Sequence, residues 1–181
     1  MTTTYLRGAS LMTATMSIAF VAAVFVFYSN TITPGLRSTD HRTFVGAFQS
    51  IDEAIVNPLF LGCGFLGALV LTALAGALHL RGSQQWSVLP WIIAAFILYL
   101  AAFVITLAVN VPFNDDLKAA GDPDQIADLG EVREQFKEST WVAWNHVRSV
   151  AGAIAFGCLA WALVLFGRTA TPQSSGTDRR S

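Results

Sequence analysis

The chain has 181 residues, of which 54% are hydrophobic and only 13% are charged, and its formal net charge is -1. A mean hydropathy of +0.53 lies outside the range of soluble globular domains and indicates an integral membrane protein. Basic residues neither dominate nor cluster, which argues against a nucleic-acid partner. Cys63 and Cys158 lie in apolar segments and have neither disulfide-framework nor zinc-site spacing.

Four apolar runs are long enough to cross a hydrocarbon layer of roughly 30 Å as helices. They cover about residues 9–29, 58–80, 88–110 and 144–167. We therefore predict an all-α fold, an integral membrane four-helix bundle over residues 1–168, with a polar disordered tail at 169–181. The first run also has features of a signal peptide, but its apolar part is longer than such peptides usually have, which favours a span.

The two long connections between spans are each predicted to carry an amphipathic helix on the same face of the bundle. Their apolar residues recur at helical spacing and are Phe44, Phe48, Ile51 and Ile55 in the first and Ile126, Leu129, Val132 and Phe136 in the second. Candidate N-caps of the first helix are Ser38, Thr39 and Asp40. Turns are predicted at Thr33-Pro34-Gly35 and Gly121-Asp122-Pro123, and Pro112 predicts a bend after the third span.

An even number of spans places both chain termini on one side of the membrane and both long connections on the other. The terminal side carries Arg7, Arg81, Arg168, Arg179 and Arg180 against one acid, Asp178. Because positive residues favour the cytoplasmic side, we predict cytoplasmic termini, in a bacterial inner membrane. His79 falls at the terminal side, so a haem shared with His146 is not expected.

Polar residues at the ends of all four spans are predicted to meet at the loop-side face. Written on a helix, Trp141, Trp144, Asn145 and Arg148 share one stripe. A ring of amides around one cation can orient a planar ligand and stabilise a developing oxyanion. The predicted substrate-binding residues are Asn57, Asn110, Asn114, Trp141, Trp144 and Asn145, and the predicted catalytic residues are Arg148 and, as proton acceptor, His146.

Simpler interpretations exist for the same residues. Asn and Trp at helix ends are common as caps and interfacial anchors, and an Arg near a span end can reach the lipid headgroups. His146 points about 100° away from Asn145 and also fits a solvated interfacial residue. A metal site made by His41, His146 and a loop carboxylate has no supporting motif, so we predict no metal.

Three sequence elements together resemble the anthrone oxygenase family, which largely coincides with a domain of unknown function in small bacterial membrane proteins. They are Phe-xxx-Phe-Gln-xx-Asp-xx-Ile-Val-Asn57-Pro58, Asn110-Val-Pro112-Phe-Asn114 and Trp141-xx-Trp144-Asn145-His146-Val-Arg148. The likeness extends from the first span through the fourth. The resemblance implies a small four-helix membrane enzyme that oxidises an anthrone to an anthraquinone with O2 as co-substrate and without flavin or haem.

The site predicted from the residues suits that reaction. Arg148 and the amides of Asn110, Asn114 and Asn145 would hold the anionic oxygen of the substrate, two indoles would flank its ring, and His146 would remove the proton. The expected partners are an apolar aromatic small molecule that enters from the lipid bilayer, and a second copy of the chain in a homo-oligomer. The alternatives are a non-catalytic membrane protein, acting as partner subunit or lipid-binding helper, and a metal-dependent membrane oxidoreductase.

Overall fold

A computed structural model describes residues 2–80 and 86–170, and within these ranges the chain forms helices without any strand. The elements are α1 (Thr2–Arg37), α2 (His41–Ile55), α3 (Leu59–His79), α4 (Leu89–Ala119), α5 (Leu129–Gln135) and α6 (Glu138–Ala170). Four helical segments are long and apolar enough to cross a membrane, namely α1, α3, α4 and the segment that contains α6. The predicted helical membrane bundle is confirmed.

The four long helices surround an apolar core. α6 packs against both α1 and α4, and α3 closes the bundle by packing against α1 and α4. Small side chains allow these approaches, and at Gly152 of α6 an added Cβ would lie 3.2 Å from the Cβ of Ala22. Large apolar side chains such as Met16, Ile97 and Val150 instead point outward, where lipid is their solvent.

A second apolar core lies at the loop side of the bundle, beneath the two amphipathic helices. The Asp40 side chain caps α2 by accepting a hydrogen bond from the Thr43 backbone amide at 3.0 Å. The buried side chains of this core are Tyr28, Phe44, Val45, Phe48, Leu117, Phe136 and Trp141. The predicted loop helices are therefore confirmed as α2 and α5, and they cover the end of the bundle where the polar residues were expected.

Three of the long helices widen into π-helical turns at this same end. The π segments are Tyr28–Ile32 in α1, Leu59–Leu66 in α3 and Thr106–Asn110 in α4. Pro34 and Pro112 each follow such a segment by two residues. A proline ring clashes with the carbonyl four residues earlier, and a wider turn relieves that clash without ending the helix.

These wide turns explain two wrong predictions. The turn expected at Thr33-Pro34-Gly35 is helical, and α4 continues through Pro112 to Ala119, with Val111 at φ -61° and ψ -47°. The turn at Gly121-Asp122-Pro123 is confirmed, since the Asp122 carbonyl accepts a hydrogen bond from the Gln125 amide at 2.9 Å. α6 extends through Ala170, and the rest of the predicted tail lies outside the described residues, as do Arg81, Arg179 and Arg180.

Gly67 is expected to be essential to the π turn of α3. A Cβ at Gly67 would lie 2.5 Å from the Gly62 carbonyl oxygen, whereas a Cβ at Gly62 meets nothing within 4 Å. Gly67→Ala should therefore lower the free energy of unfolding by about 1–3 kcal/mol through overpacking, and Gly62→Ala should not. Thermal unfolding of the two variants in detergent measures this difference, and equal melting temperatures would contradict the assignment.

Candidate functional site

A cavity of about 130 Å³ opens between the membrane core and the loop-side core. Its apolar wall includes Phe60, Phe65 and the outward-facing Leu61 and Leu107, so this side meets the bilayer. Its polar lining comprises Tyr28, Asp52, Thr106, Asn114, Trp141 and Arg148. The polar groups therefore come from α1, α2, α4 and α6. The parity of the spans predicted polar groups from the ends of all four spans, whereas α3 contributes only apolar side chains and α2, which is not a span, contributes Asp52.

Arg148 is the buried cation of this cavity. Its side chain donates from Nε to Asn145 Oδ1 at 2.8 Å and from Nη1 to Thr106 Oγ1 at 3.2 Å. The guanidinium carbon also lies 4.4 Å from the ring centroid of Phe25 and 5.3 Å from that of Trp141. The ion pairs that the described residues form involve other cations, at Arg37, Arg42 and Arg133.

Arg148 therefore retains hydrogen-bonding capacity toward the cavity. A guanidinium has five N–H donors, of which Arg148 uses two in the contacts above. Its charge is held by neutral dipoles and aromatic faces rather than by a carboxylate at contact distance. The arrangement suits an anionic or strongly polarised oxygen in the cavity.

Asn145 orients the guanidinium. Because Arg148 Nε can only donate, the Asn145 oxygen must accept, and its Nδ2 therefore points to Ser29 Oγ at 2.6 Å and to the Phe25 carbonyl at 3.2 Å. Ser149 donates to the Asn145 carbonyl at 2.7 Å and lies 3.1 Å from Ser29 Oγ. This buried network ties α6 to α1 and fixes the position of the cation.

A second hydrogen-bonded chain runs across the cavity from α6 to α2. Trp141 Nε1 donates to Asn114 Oδ1 at 2.7 Å, and Asn114 Nδ2 donates to Asp52 Oδ1 at 2.7 Å. Since an indole N–H cannot accept, the orientation of the Asn114 amide is determined, and its nitrogen must face Asp52. Burial raises the pKa of Asp52, partly offset by the hydrogen bond from Asn114.

Asn110 lies fully buried beside this chain. Its Nδ2 donates to the Trp141 carbonyl at 3.3 Å, while its Oδ1 has no hydrogen-bond partner among the described residues. It braces α4 against α6 next to the cavity without lining it.

Of the eight predicted site residues, the structure places five at or directly behind the cavity and three away from its lining. Asn114, Trp141 and Arg148 line the cavity, and Asn110 and Asn145 support them from behind. Asn57 is an N-cap, accepting from the Phe60 amide at 2.9 Å and donating to the Ala54 carbonyl. Trp144 and His146 lie on the exposed side of α6, away from the cavity lining.

Sequence reasoning missed three lining residues. Asp52 stood within the quoted first-loop motif but was not assigned to the site, because nothing in the sequence fixes how α2 docks on the bundle. Tyr28 lies at the end of the first apolar run, where an aromatic residue is common as an interfacial anchor, and Thr106 is one of several hydroxyl residues in the spans. Within residues 2–80 and 86–170, no group of three or more His, Cys, Asp or Glu side chains converges as a metal-binding cluster would.

The cavity has one class of chemistry that its residues can perform directly. A desolvated cation with free donors can hold an oxygen on which negative charge develops, and the apolar wall can accept a flat hydrocarbon. The fold and cavity thus define a helical membrane protein with a bilayer-facing cavity that is polar at one end and apolar along its wall.

The chain belongs to the anthrone oxygenase family, whose sequence profile matches residues 58–158, more than half of its length. The matched region contains Asn110, Asn114, Trp141, Asn145 and Arg148, whereas Tyr28 and Asp52 precede it. Searches of characterised proteins and of solved structures gave no match.

The two tryptophans of the motif are expected to differ in their contribution to stability. Trp141 is 1% exposed and its N–H binds Asn114, whereas Trp144 is 40% exposed. Trp141→Phe leaves the Asn114 oxygen without its donor and should lower the free energy of unfolding by about 1–3 kcal/mol. Trp144→Phe, the matched control, should change it little. Thermal unfolding tests both, and equal effects would contradict the assigned hydrogen bond.

Proposed function

We propose that the protein is a membrane-embedded oxidase that uses O2 to convert anthrone-like phenolic aromatics to quinones. The single observation that carries this proposal is the buried Arg148 guanidinium, which faces an apolar, bilayer-facing cavity with unused N–H donors. Membership of the anthrone oxygenase family supports the same reaction class. We infer that flavin and haem are not needed, because the delocalised substrate anion can pass an electron directly to O2.

The substrate would bind with its oxygen toward Arg148 and its rings against Phe60, Phe65 and Trp141. A cavity of about 130 Å³ has room for roughly one aromatic ring, judged by cavities that hold benzene. A fused three-ring molecule would therefore extend past Leu61 and Leu107 toward the lipid, which is also its route of entry.

The reaction begins with loss of a proton from the carbon between the two outer rings. The resulting anion places its charge on the carbonyl oxygen, where the Arg148 guanidinium lowers its energy. This electron-rich anion transfers one electron to O2, and the radical pair then combines to a peroxide at that carbon. Loss of the remaining C–H proton and cleavage of the O–O bond release water and leave the second carbonyl. One anthrone and one O2 thus give one anthraquinone and one water.

Arg148→Met should abolish most turnover without unfolding the protein. The substitution keeps an apolar side chain of similar length but removes every donor to the oxyanion, and loss of such donors costs roughly 100- to 1,000-fold in rate. The measurement is O2 uptake and quinone absorbance with a hydroxylated anthrone, corrected for spontaneous oxidation. Thermal unfolding of the same sample establishes that the variant is folded.

Arg168→Met is the matched control. Arg168 lies on the same helix, near the opposite end, where its guanidinium carbon is 5.7 Å from the Trp161 ring centroid. This variant should oxidise the anthrone at the wild-type rate. A wild-type protein that never exceeds the spontaneous rate would refute the proposed reaction, and full activity in Arg148→Met would refute the role of the guanidinium.

A further inference from the structure

We propose that Asp52, on the extramembrane helix α2, is the catalytic residue that removes the substrate proton and later returns it. This inference rests on the proposed oxidase function and assigns the proton acceptor that the reaction requires. It also gives α2 a chemical role, because the helix that covers the bundle would supply part of the active site.

The geometry of Asp52 suits a base. Its carboxylate lines the same cavity as Arg148, and one oxygen, Oδ1, is fixed by the 2.7 Å hydrogen bond from Asn114. The other oxygen, Oδ2, makes no hydrogen bond to any described residue, so its lone pairs remain available. Asn114 is in turn held by the Trp141 indole, which means that the base is oriented by a chain anchored on α6.

The other titratable groups of the cavity are poorly suited to this step. Tyr28 carries a phenol, which is neutral near pH 7 and therefore a weak proton acceptor, and Arg148 carries a permanent charge. His146 is exposed and lies outside the cavity lining. Within the described residues, Asp52 is the only carboxylate that lines the cavity.

The surroundings of Asp52 make its carboxylate more basic than an ordinary aspartate. It faces Asn114, Asp115 and Lys118 on α4, Tyr28 on α1 and Arg148 on α6. Burial and Asp115 raise its pKa, whereas Asn114, Lys118 and Arg148 lower it, and the net shift is upward. A carboxylate with a raised pKa accepts a proton from carbon more readily than an ordinary aspartate does.

The proton balance closes through this one group. Asp52 takes the first proton from the carbon as the anion forms, and as a carboxylic acid it then protonates the peroxide. Once ionised again, it removes the second C–H proton while the O–O bond breaks, and that proton leaves with the departing hydroxide as water. Asp52 therefore ends the cycle as it began, and O2 is the sole oxidant.

The test separates proton removal from oxidation by excluding O2. Wild-type protein and the variants are mixed anaerobically with a hydroxylated anthrone in deuterated buffer. Proton NMR then measures deuterium uptake at the reacting carbon. Asp52→Asn can still accept the hydrogen bond from Asn114, so it removes little besides the charge. We expect the catalysed exchange and the aerobic turnover of this variant to fall about 100-fold or more.

Asp115→Asn is the matched control, because Asp115 is an exposed carboxylate next to Asn114 and influences Asp52 only through its charge. This variant should catalyse the exchange and the oxidation at nearly the wild-type rate. Because the charge of Asp115 raises the pKa of Asp52, the fall in rate on the acid side of the pH profile should move to lower pH. In the wild type both rates should fall as the pH decreases through the raised pKa of Asp52. In Asp52→Asn that fall should be absent.

Folding is monitored in parallel by thermal unfolding. Burial makes the ionised carboxylate unfavourable in the folded state, so Asp52→Asn should be at least as stable as the wild type at neutral pH. Exchange within threefold of wild type in a folded Asp52→Asn overturns the inference. If that variant unfolds, Asp52→Glu provides the test. If residue 52 is the base, the pH at which the rates fall on the acid side should shift in Asp52→Glu, and an unchanged pH profile overturns the proposal. A wild type that oxidises no anthrone refutes the proposed function and the role of Asp52 together, whereas loss confined to Asp52→Asn supports both.

Discussion

The structure depends on how one guanidinium is accommodated away from water. Arg148 is 6% exposed, on a helix that enters the apolar core of the bundle, and a buried charge is costly unless its hydrogen bonds are met. The protein meets part of this demand with one amide, one hydroxyl and two aromatic faces. The uncovered part faces the cavity, so in the proposed function the feature that costs stability is also the one that holds the substrate oxygen.

The remaining architecture supplies what this cation requires. The apolar core of the bundle holds the four long helices together. The loop-side core packs α2 and the Trp141 indole over the polar end of the cavity. The four-helix bundle exposes mainly large apolar side chains, whereas the loop helices carry apolar side chains on one side and charged side chains on the other. The cavity lies at the boundary between the bundle and the loop helices, where Arg148 is buried and Asp52 comes from an extramembrane helix. In the proposed reaction, the first residue holds the substrate oxygen and the second exchanges the proton.

Much of this arrangement could be predicted from the sequence, because hydropathy identifies the spans and helical spacing identifies their polar stripe. The spacing of Trp141, Asn145 and Arg148 correctly placed three buried side chains on one face. Trp144 was predicted to bind the substrate, but it lies at the edge of the same stripe, roughly 60° from Trp141, where the helix faces outward. Asp52 could not be placed, since its position depends on the docking of α2, which is a tertiary contact without a local pattern. The effect of Pro112 was misjudged because proline preferences describe α-helices, and this helix is wider at that point.

The π turn at Thr106–Asn110 has a consequence for how the two cavity-facing parts of α4 relate to one another. A wide turn holds one more residue than an α turn, so it changes the rotational phase of everything that follows by about 100°. Thr106 reaches Arg148 before this phase change, and Asn114 reaches Asp52 and Trp141 after it. In a regular α-helix the same sequence would direct one of these side chains away from the cavity. The extra residue therefore acts as the spacer that lets a single helix present hydrogen-bonding groups to both the cation and the carboxylate.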